Sequence, residues 1–129
     1  MPKPPSHRLG RYAEWAALFL LMAKGYRPRH RNWRGGGGEL DLVMRKRRET
    51  VFVEVKARSS EEFGGAAAAF HEKKKRMFTL VSAAYLSRYA LWERPCRFDL
   101  VTLERVGGLM PWRVHHYRDV FQPDRGRQF

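Results

Sequence analysis

The chain predicts an α/β fold: one mixed sheet flanked by helices. Three observations lead there. An apolar stretch of helical length stands near the start, then three segments alternate in polarity across short polar or glycine-rich turns, and a second helical stretch precedes two more strand-like segments. Short turns make the first three strands an antiparallel meander, and the second helix is long enough to cross over to a strand of the same sheet. With 129 residues, 43% of them hydrophobic, the chain is expected to form a single domain, 1–129, around one core.

Taken in order, residues 1–5 read as a flexible lead-in. Ser6 is the expected N-cap of the first helix and Gly25 its C′ stop. Between them the residues from Tyr12 to Met22 are apolar almost all round. Such a helix is either deeply buried or keeps a second apolar face for a partner, which leaves room for a homodimer. Its apolar run is too short to span a bilayer, and Glu14 stands at its edge, so it reads as a mature core helix rather than an anchor or signal. That places the protein in the cytoplasm, with no membrane partner.

Tyr26 to Trp33 reads as a strand with Arg27, Arg29 and Arg31 on one basic face. Gly35 to Gly38 form a turn that permits close backbone approach, such as to a phosphate backbone. From Gly38 to Met44 the pattern alternates, with Glu39 and Asp41 one way and Leu40 and Leu42 the other. Arg45 to Glu49 reads as a charged hairpin turn. Val51, Val53, Val55 and Ala57 then share one face of the next strand, and Phe52, Glu54, Lys56 and Arg58 the other. After a polar loop, the second helix is expected from about 67 to 89. Strands follow over 96–103 and 112–117, and the tail from Gln122 is expected to fray.

Charge narrows the function. Lys and Arg number 26 against 13 Asp and Glu, a formal net charge of +13. That field attracts polyanions, and nucleic acid leads the list of partners ahead of a ribosomal surface or an anionic membrane. Cys96, the single cysteine, excludes an intramolecular disulfide and a cysteine-based zinc cage. It reads as a small buried hydrophobe in a reducing compartment.

The acids are few, yet Glu39, Asp41 and Glu54 fall within strands built otherwise of apolar residues. Carboxylates among valines are costly unless a cation or hydrogen bonds compensate them. Asp41 and Glu54 lie on neighbouring strands of one hairpin, and Lys56 leaves the same face as Glu54. Hard oxygen ligands at one point suit Mg²⁺ or Mn²⁺, which can hold a phosphodiester oxygen and activate water. The bland alternative is a cluster of Glu–Lys and Asp–Arg ion pairs that shapes the core. Asp99 is read as the ion-pair partner of Arg97. His115 and His116 point to opposite faces, cannot readily share one metal, and are given a surface or base-stacking role. The tryptophans are assigned to core or edge, and no Gly-Lys-Ser/Thr follows the four glycines, which rules out a Walker loop.

Asp41 followed by Glu54-Val55-Lys56 resembles the PD-(D/E)XK nuclease signature. The wider text is similar to the YraN-type family of bacterial predicted endonucleases: Asn32-Trp33-Arg34, Gly38 to Val43, Val51 to Ser59, Phe63-Gly64, and Arg97 to Val101. The resemblance runs from about residue 10 to 121. It implies a restriction-endonuclease-like αβββαβ core, close to Holliday junction resolvases, and a metal-dependent endonuclease acting on DNA ahead of RNA, including branched DNA. In that class Asp41, Glu54 and the Val55 carbonyl would hold the metal, Glu14 would complete the site, and Lys56 would help activate water. A helix-two lysine, Lys73 or Lys74, is also expected. Glu39, where the class has a different residue pattern, is either a further ligand or the partner of an arginine. Arg29, Arg31, Arg34, Arg58, Lys73 and Lys74 are the expected backbone contacts. A non-catalytic binding module, or a subunit that needs a partner, is the rival reading.

Overall fold

A computed structural model describes residues 5–59, 72–105 and 112–122, with side chains described over 11–57, 74–104 and 113–122. Expectations for the ends, the 60–71 loop, and the side chains of Ser6, Arg58, Lys73 and Trp112 lie outside these residues.

Helix α1 spans Pro5–Ala23, strands β1, β2 and β3 span Arg27–Gly35, Gly38–Lys46 and Glu49–Ser59, helix α2 spans Glu72–Arg88, and β4 and β5 span Cys96–Arg105 and Trp112–Phe121. The sheet order is β1-β2-β3-β4-β5. The first three strands form the expected antiparallel meander, β4 joins β3 in parallel after the α2 crossover, and β5 returns antiparallel to β4. This mixed five-stranded α/β sheet is consistent with a restriction-endonuclease-like core. Among the described residues no helix is long and apolar enough to cross a membrane.

Local chemistry sets the boundaries. The first helix opens at Pro5 rather than after Ser6, because proline is pre-shaped for the first helical turn and loses no hydrogen bond there. Its end is a Schellman motif: Gly25, at φ 92°, donates to the Met22 carbonyl, and Tyr26 donates to that of Leu21. Tyr26 and Leu21 then pack in one core cluster. At the β1–β2 turn, Gly36 and Gly37 both have positive φ, as a two-residue hairpin turn requires. The close approach these glycines allow is to α2. A Cβ on Gly36 would meet the Leu80 carbonyl at 2.8 Å, and one on Gly38 the Met77 sulfur at 2.5 Å. Helix packing thus accounts for Gly36 and Gly38, while a Cβ on Gly37 would meet open space.

Two apolar clusters, one under each helix, sandwich the sheet. Ala13, Ala17 and Leu21 of α1 pack on Val51, Val53, Val101 and Leu103, with Val55 and Ala57 at the margin, so the predicted valine face of β3 holds. Phe78, Val81 and Tyr85 of α2 pack on Phe52, Phe98 and Leu100 on the opposite side. Cys96 is buried there, as its small apolar character suggests. The simple alternation of β2 fails at one place. Leu40 belongs to the α2 cluster while Leu42 belongs to the α1 cluster, so the two leucines do not share a face. The switch falls at Asp41. In β1 a register shift between Pro28 and His30 likewise breaks the single basic face. Arg29 acts electrostatically on Tyr85 under α2, whereas the Arg31 guanidinium lies 4.3 Å from the centre of the Trp15 ring on α1.

Candidate metal centre and its basic surround

The candidate centre sits where β2 and β3 part. Their paired register runs from Lys46↔Glu49 up to Leu42↔Val53 and is not continued to Asp41 and Glu54. The Val55 N–H, which would otherwise enter the ladder, donates instead to Asp41 Oδ2 at 2.9 Å. Within an extended strand a residue's N–H and C=O leave the same edge, so the Val55 carbonyl also borders this gap. The strand switch at Asp41 and the opening of the ladder thus turn a carboxylate and a carbonyl towards one cleft.

Glu54 stands beside Asp41, 9% exposed in the middle of β3. Lys74, from the first turns of α2, donates to Glu54 Oε2 at 3.1 Å. This contact selects Lys74 from the basic run on the helix. Lys56 lies close enough to feel Lys74, Glu54 and Asp41 electrostatically. Glu14 comes from α1, hydrogen-bonds Asn32, and lies within electrostatic reach of Asp41 and Glu54. Asn32 adopts a left-handed φ of 53°, which asparagine tolerates better than most residues. Glu39 Oε2 is 3.8 Å from Arg34 Nε, in an exposed and loose pair, and its charge also reaches Glu14.

The protonation pattern follows from this crowding. Asp41 is pushed up to about 8, first by burial, then by the Glu54 charge, with the Val55 N–H opposing and Glu14 adding to the rise. Glu14 is raised by burial, with Asn32 and Arg31 pulling the other way. Lys56 is lowered by burial and then by Lys74, against the pull of Glu54 and Asp41. Three acids and two lysines therefore stand in mutual tension. Among the described residues no three His, Cys, Asp or Glu side chains converge closely enough to form a ready-made metal cage. The donor set nonetheless fits a hard cation that keeps most of its waters: two carboxylates and a strand carbonyl at one cleft are the ligand type and number Mg²⁺ takes.

The remaining predicted residues fall around this centre. Arg29, Arg31 and Arg34 are exposed along the β1 edge, as backbone contacts require. Trp33 is half-buried against Tyr85 and Tyr89, an edge residue rather than an open stacking platform. His116 corrects the sequence reading. Its Nε2 meets Asp99 Oδ2 at 2.8 Å and its Nδ1 meets Lys24 Nζ at 2.9 Å, so it is an interior partner, while His115 is exposed. Asp99 has the expected bond from Arg97 Nε, at 2.9 Å. Sequence reasoning missed the aromatic ring set of His30, Trp33, Tyr85 and Tyr89, which ties β1 to α2. The period of β1 could not reveal it, because the register shift puts His30 on the α2 side, where its Nδ1 meets the Tyr85 hydroxyl at 2.7 Å.

Fold and cleft together define an α/β protein with a restriction-endonuclease-like core and a carboxylate–lysine cluster at the parting of two strands. The chain belongs to the uncharacterised protein family UPF0102, the YraN family, whose model matches residues 13–103. A UPF0102 protein of Phocaeicola vulgatus is 38% identical over 117 residues, covering 91% of this chain and 94% of its own. One of Pseudomonas putida strain GB-1 is 41% identical over 105 residues, 81% of this chain and 85% of its own. One of Hahella chejuensis is 41% identical over 93 residues, 72% and 75% of the two chains.

Proposed function

We propose that this protein is a Mg²⁺- or Mn²⁺-dependent endonuclease that hydrolyses phosphodiester bonds in DNA, working in the cytoplasm. The observation that carries the proposal is Asp41 and Glu54 crowded together at the β2–β3 cleft with Lys56 and Lys74 beside them. Buried like charges are costly, and a bound cation would remove the cost.

Asp41, Glu54 and the Val55 carbonyl would hold the ion, with Glu14 completing its surroundings. When bound, the ion would supply Lewis acidity towards a phosphodiester oxygen and a more acidic water. The protein's own residues do the rest. Lys56, its pKa lowered, is suited to hold and pass on the proton of the attacking water. Lys74 is suited to swing from Glu54 to the scissile phosphate and offset the charge that develops there. Arg31 and Arg34, on the exposed β1 edge, would hold the flanking backbone.

A cleavage assay over linear, flapped and four-way-junction DNA, with Mg²⁺ or Mn²⁺ beside an EDTA control and Lys56→Ala, tests this. Metal-dependent cutting that falls about 100-fold in Lys56→Ala is expected. Binding without cutting by either protein would overturn it.

One observation favours a second reading. Lys74 already pairs with Glu54 at 3.1 Å, and among the described residues no group of three acids forms a ready-made metal cage. A non-catalytic nucleic-acid-binding module would keep that ion pair, and alanine at Glu54 would then change stability alone.

A further inference from the structure

At the other end of β2 lies a second concentration of charge, away from the carboxylate cleft. A recess of about 170 Å³ is lined by four arginines from four different segments. Arg29 comes from β1, Arg45 from β2, Arg48 from the β2–β3 turn, and Arg94 from the segment between α2 and β4. Thr50 and Tyr85 add two hydroxyls, and among the described residues no Asp or Glu lines the recess. Met44 and Leu91 provide apolar wall.

Arginines from four segments bordering one recess, with no acid among its described lining residues, gather positive charge there. Such an arrangement is stable in the folded protein when an anion occupies it. The guanidiniums are also partly positioned in advance. Arg45 Nε donates to the Arg47 carbonyl at 2.8 Å, which leaves its two terminal nitrogens for a ligand. Arg29 acts electrostatically on the Tyr85 hydroxyl, which is on the same wall. The local field is strong enough that Arg29, added to burial, holds His30 below its ordinary value. Arginine forks match the oxygens of phosphate two at a time, which lysines do not.

We infer that this recess is a phosphate-binding site, distinct from the Asp41–Glu54 cleft, that takes the terminal phosphomonoester of a nucleic-acid strand. A monoester carries more charge than an internal diester and has one covalent attachment, so it can enter a recess closed on its apolar side. Arg45 is four residues along β2 from Asp41, roughly 13 Å at ~3.3 Å per residue. A strand anchored by its end here would have its next few nucleotides within reach of the carboxylate cleft. The inference stands without the hydrolytic reading, because phosphate binding is measured with metal chelated.

The test is fluorescence anisotropy in EDTA with one labelled oligonucleotide carrying either a 5′-phosphate or a 5′-hydroxyl, competed with inorganic phosphate. The proteins are the wild type, Arg45→Gln with Arg48→Gln, and the charge-matched control Arg113→Gln with Arg118→Gln on β5. The 5′-phosphate form is expected to bind about tenfold tighter to wild type and control, and the preference to vanish in the recess variant while 5′-hydroxyl binding changes much less. Circular dichroism establishes that the recess variant is folded, and Arg94→Gln alone provides a milder second variant. Equal binding of the two oligonucleotides, with inorganic phosphate saturably raising the wild-type melting temperature and not that of the recess variant, would keep the phosphate site and reassign its ligand to a free phosphate compound. Equal binding with no selective effect of phosphate would overturn the site.

Discussion

Two aspartates in this sheet, Asp99 fully buried and Asp41 half-buried, have opposite fates. Asp99, fully buried in β4, accepts from Arg97 Nε at 2.9 Å, meets His116 at 2.8 Å, and accepts the Asp119 N–H at 3.0 Å. Burial pushes its pKa up, but these three partners pull it below its ordinary value. Arg97 in turn bonds Glu49 and the Tyr26 hydroxyl, which closes the network. Asp41 in β2 receives one backbone N–H and faces Glu54 and Glu14, and it is driven up. A carboxylate whose charge is answered on every side belongs to the architecture. One driven up by burial and by neighbouring carboxylates, with Lys56 within electrostatic reach, has the kind of perturbed protonation that gathers at functional sites.

The sharpest way to break this contrast is to delete each acid. Asp99→Ala leaves Arg97 buried without its carboxylate, and a loss of about 3–5 kcal/mol is expected in urea unfolding. Asp41→Asn removes repulsion, so stability should hold or rise by about 1 kcal/mol, while metal-dependent cleavage falls at least about 100-fold. Equal destabilisation by both changes would erase the distinction.

The pH dependence sharpens it further. Asp41 has a raised folded pKa, so the folded state holds its proton more tightly than the unfolded one. Its contribution to stability is present at low pH and is lost as pH rises from about 4 through about 8. Asp99, with a lowered folded pKa, contributes above its unfolded value and loses that contribution as pH falls through the folded one. Melting temperatures measured between pH 5 and pH 9 (roughly the range in which Asp41 alone of the two titrates) should therefore decline less steeply in Asp41→Asn than in wild type. An unchanged slope would show that Asp41 is not protonated in the folded state. The smallest effect is expected at the exposed Arg34–Glu39 pair, where Glu39→Ala should change stability by less than about 0.5 kcal/mol.

Much of this was legible in the residues. The valine face of β3 follows from its period of two, and Arg97 with Asp99 follows from the same rule, since positions two apart share a face. The acids of the cleft stood out because carboxylates are rare in apolar strands. What stayed hidden depends on departures from regularity. The Asp119 N–H reaches Asp99 because β5 is irregular opposite that residue, where Asp119 has φ 57°, and the same antiparallel pairing brings in His116. Leu40 and Leu42 part company because the strand switches at Asp41. The helix phase that gives Glu54 to Lys74 could not be read from a run of identical lysines. Arg45 to Glu49 read as a charged hairpin turn, and that Arg45 and Arg48 border one recess with Arg29 and Arg94 depends on tertiary contact.

The most direct measurement is an isothermal titration of Mn²⁺ or Mg²⁺ into wild type and Asp41→Asn near pH 7, in buffers of different ionisation enthalpy. One binding site with release of roughly one proton is expected for wild type, because Asp41 must lose its proton to become a ligand, with neither binding nor release in Asp41→Asn. Metal binding unchanged by the substitution, or absent from the wild type, would contradict the reading of Asp41 and Glu54 as a cation site.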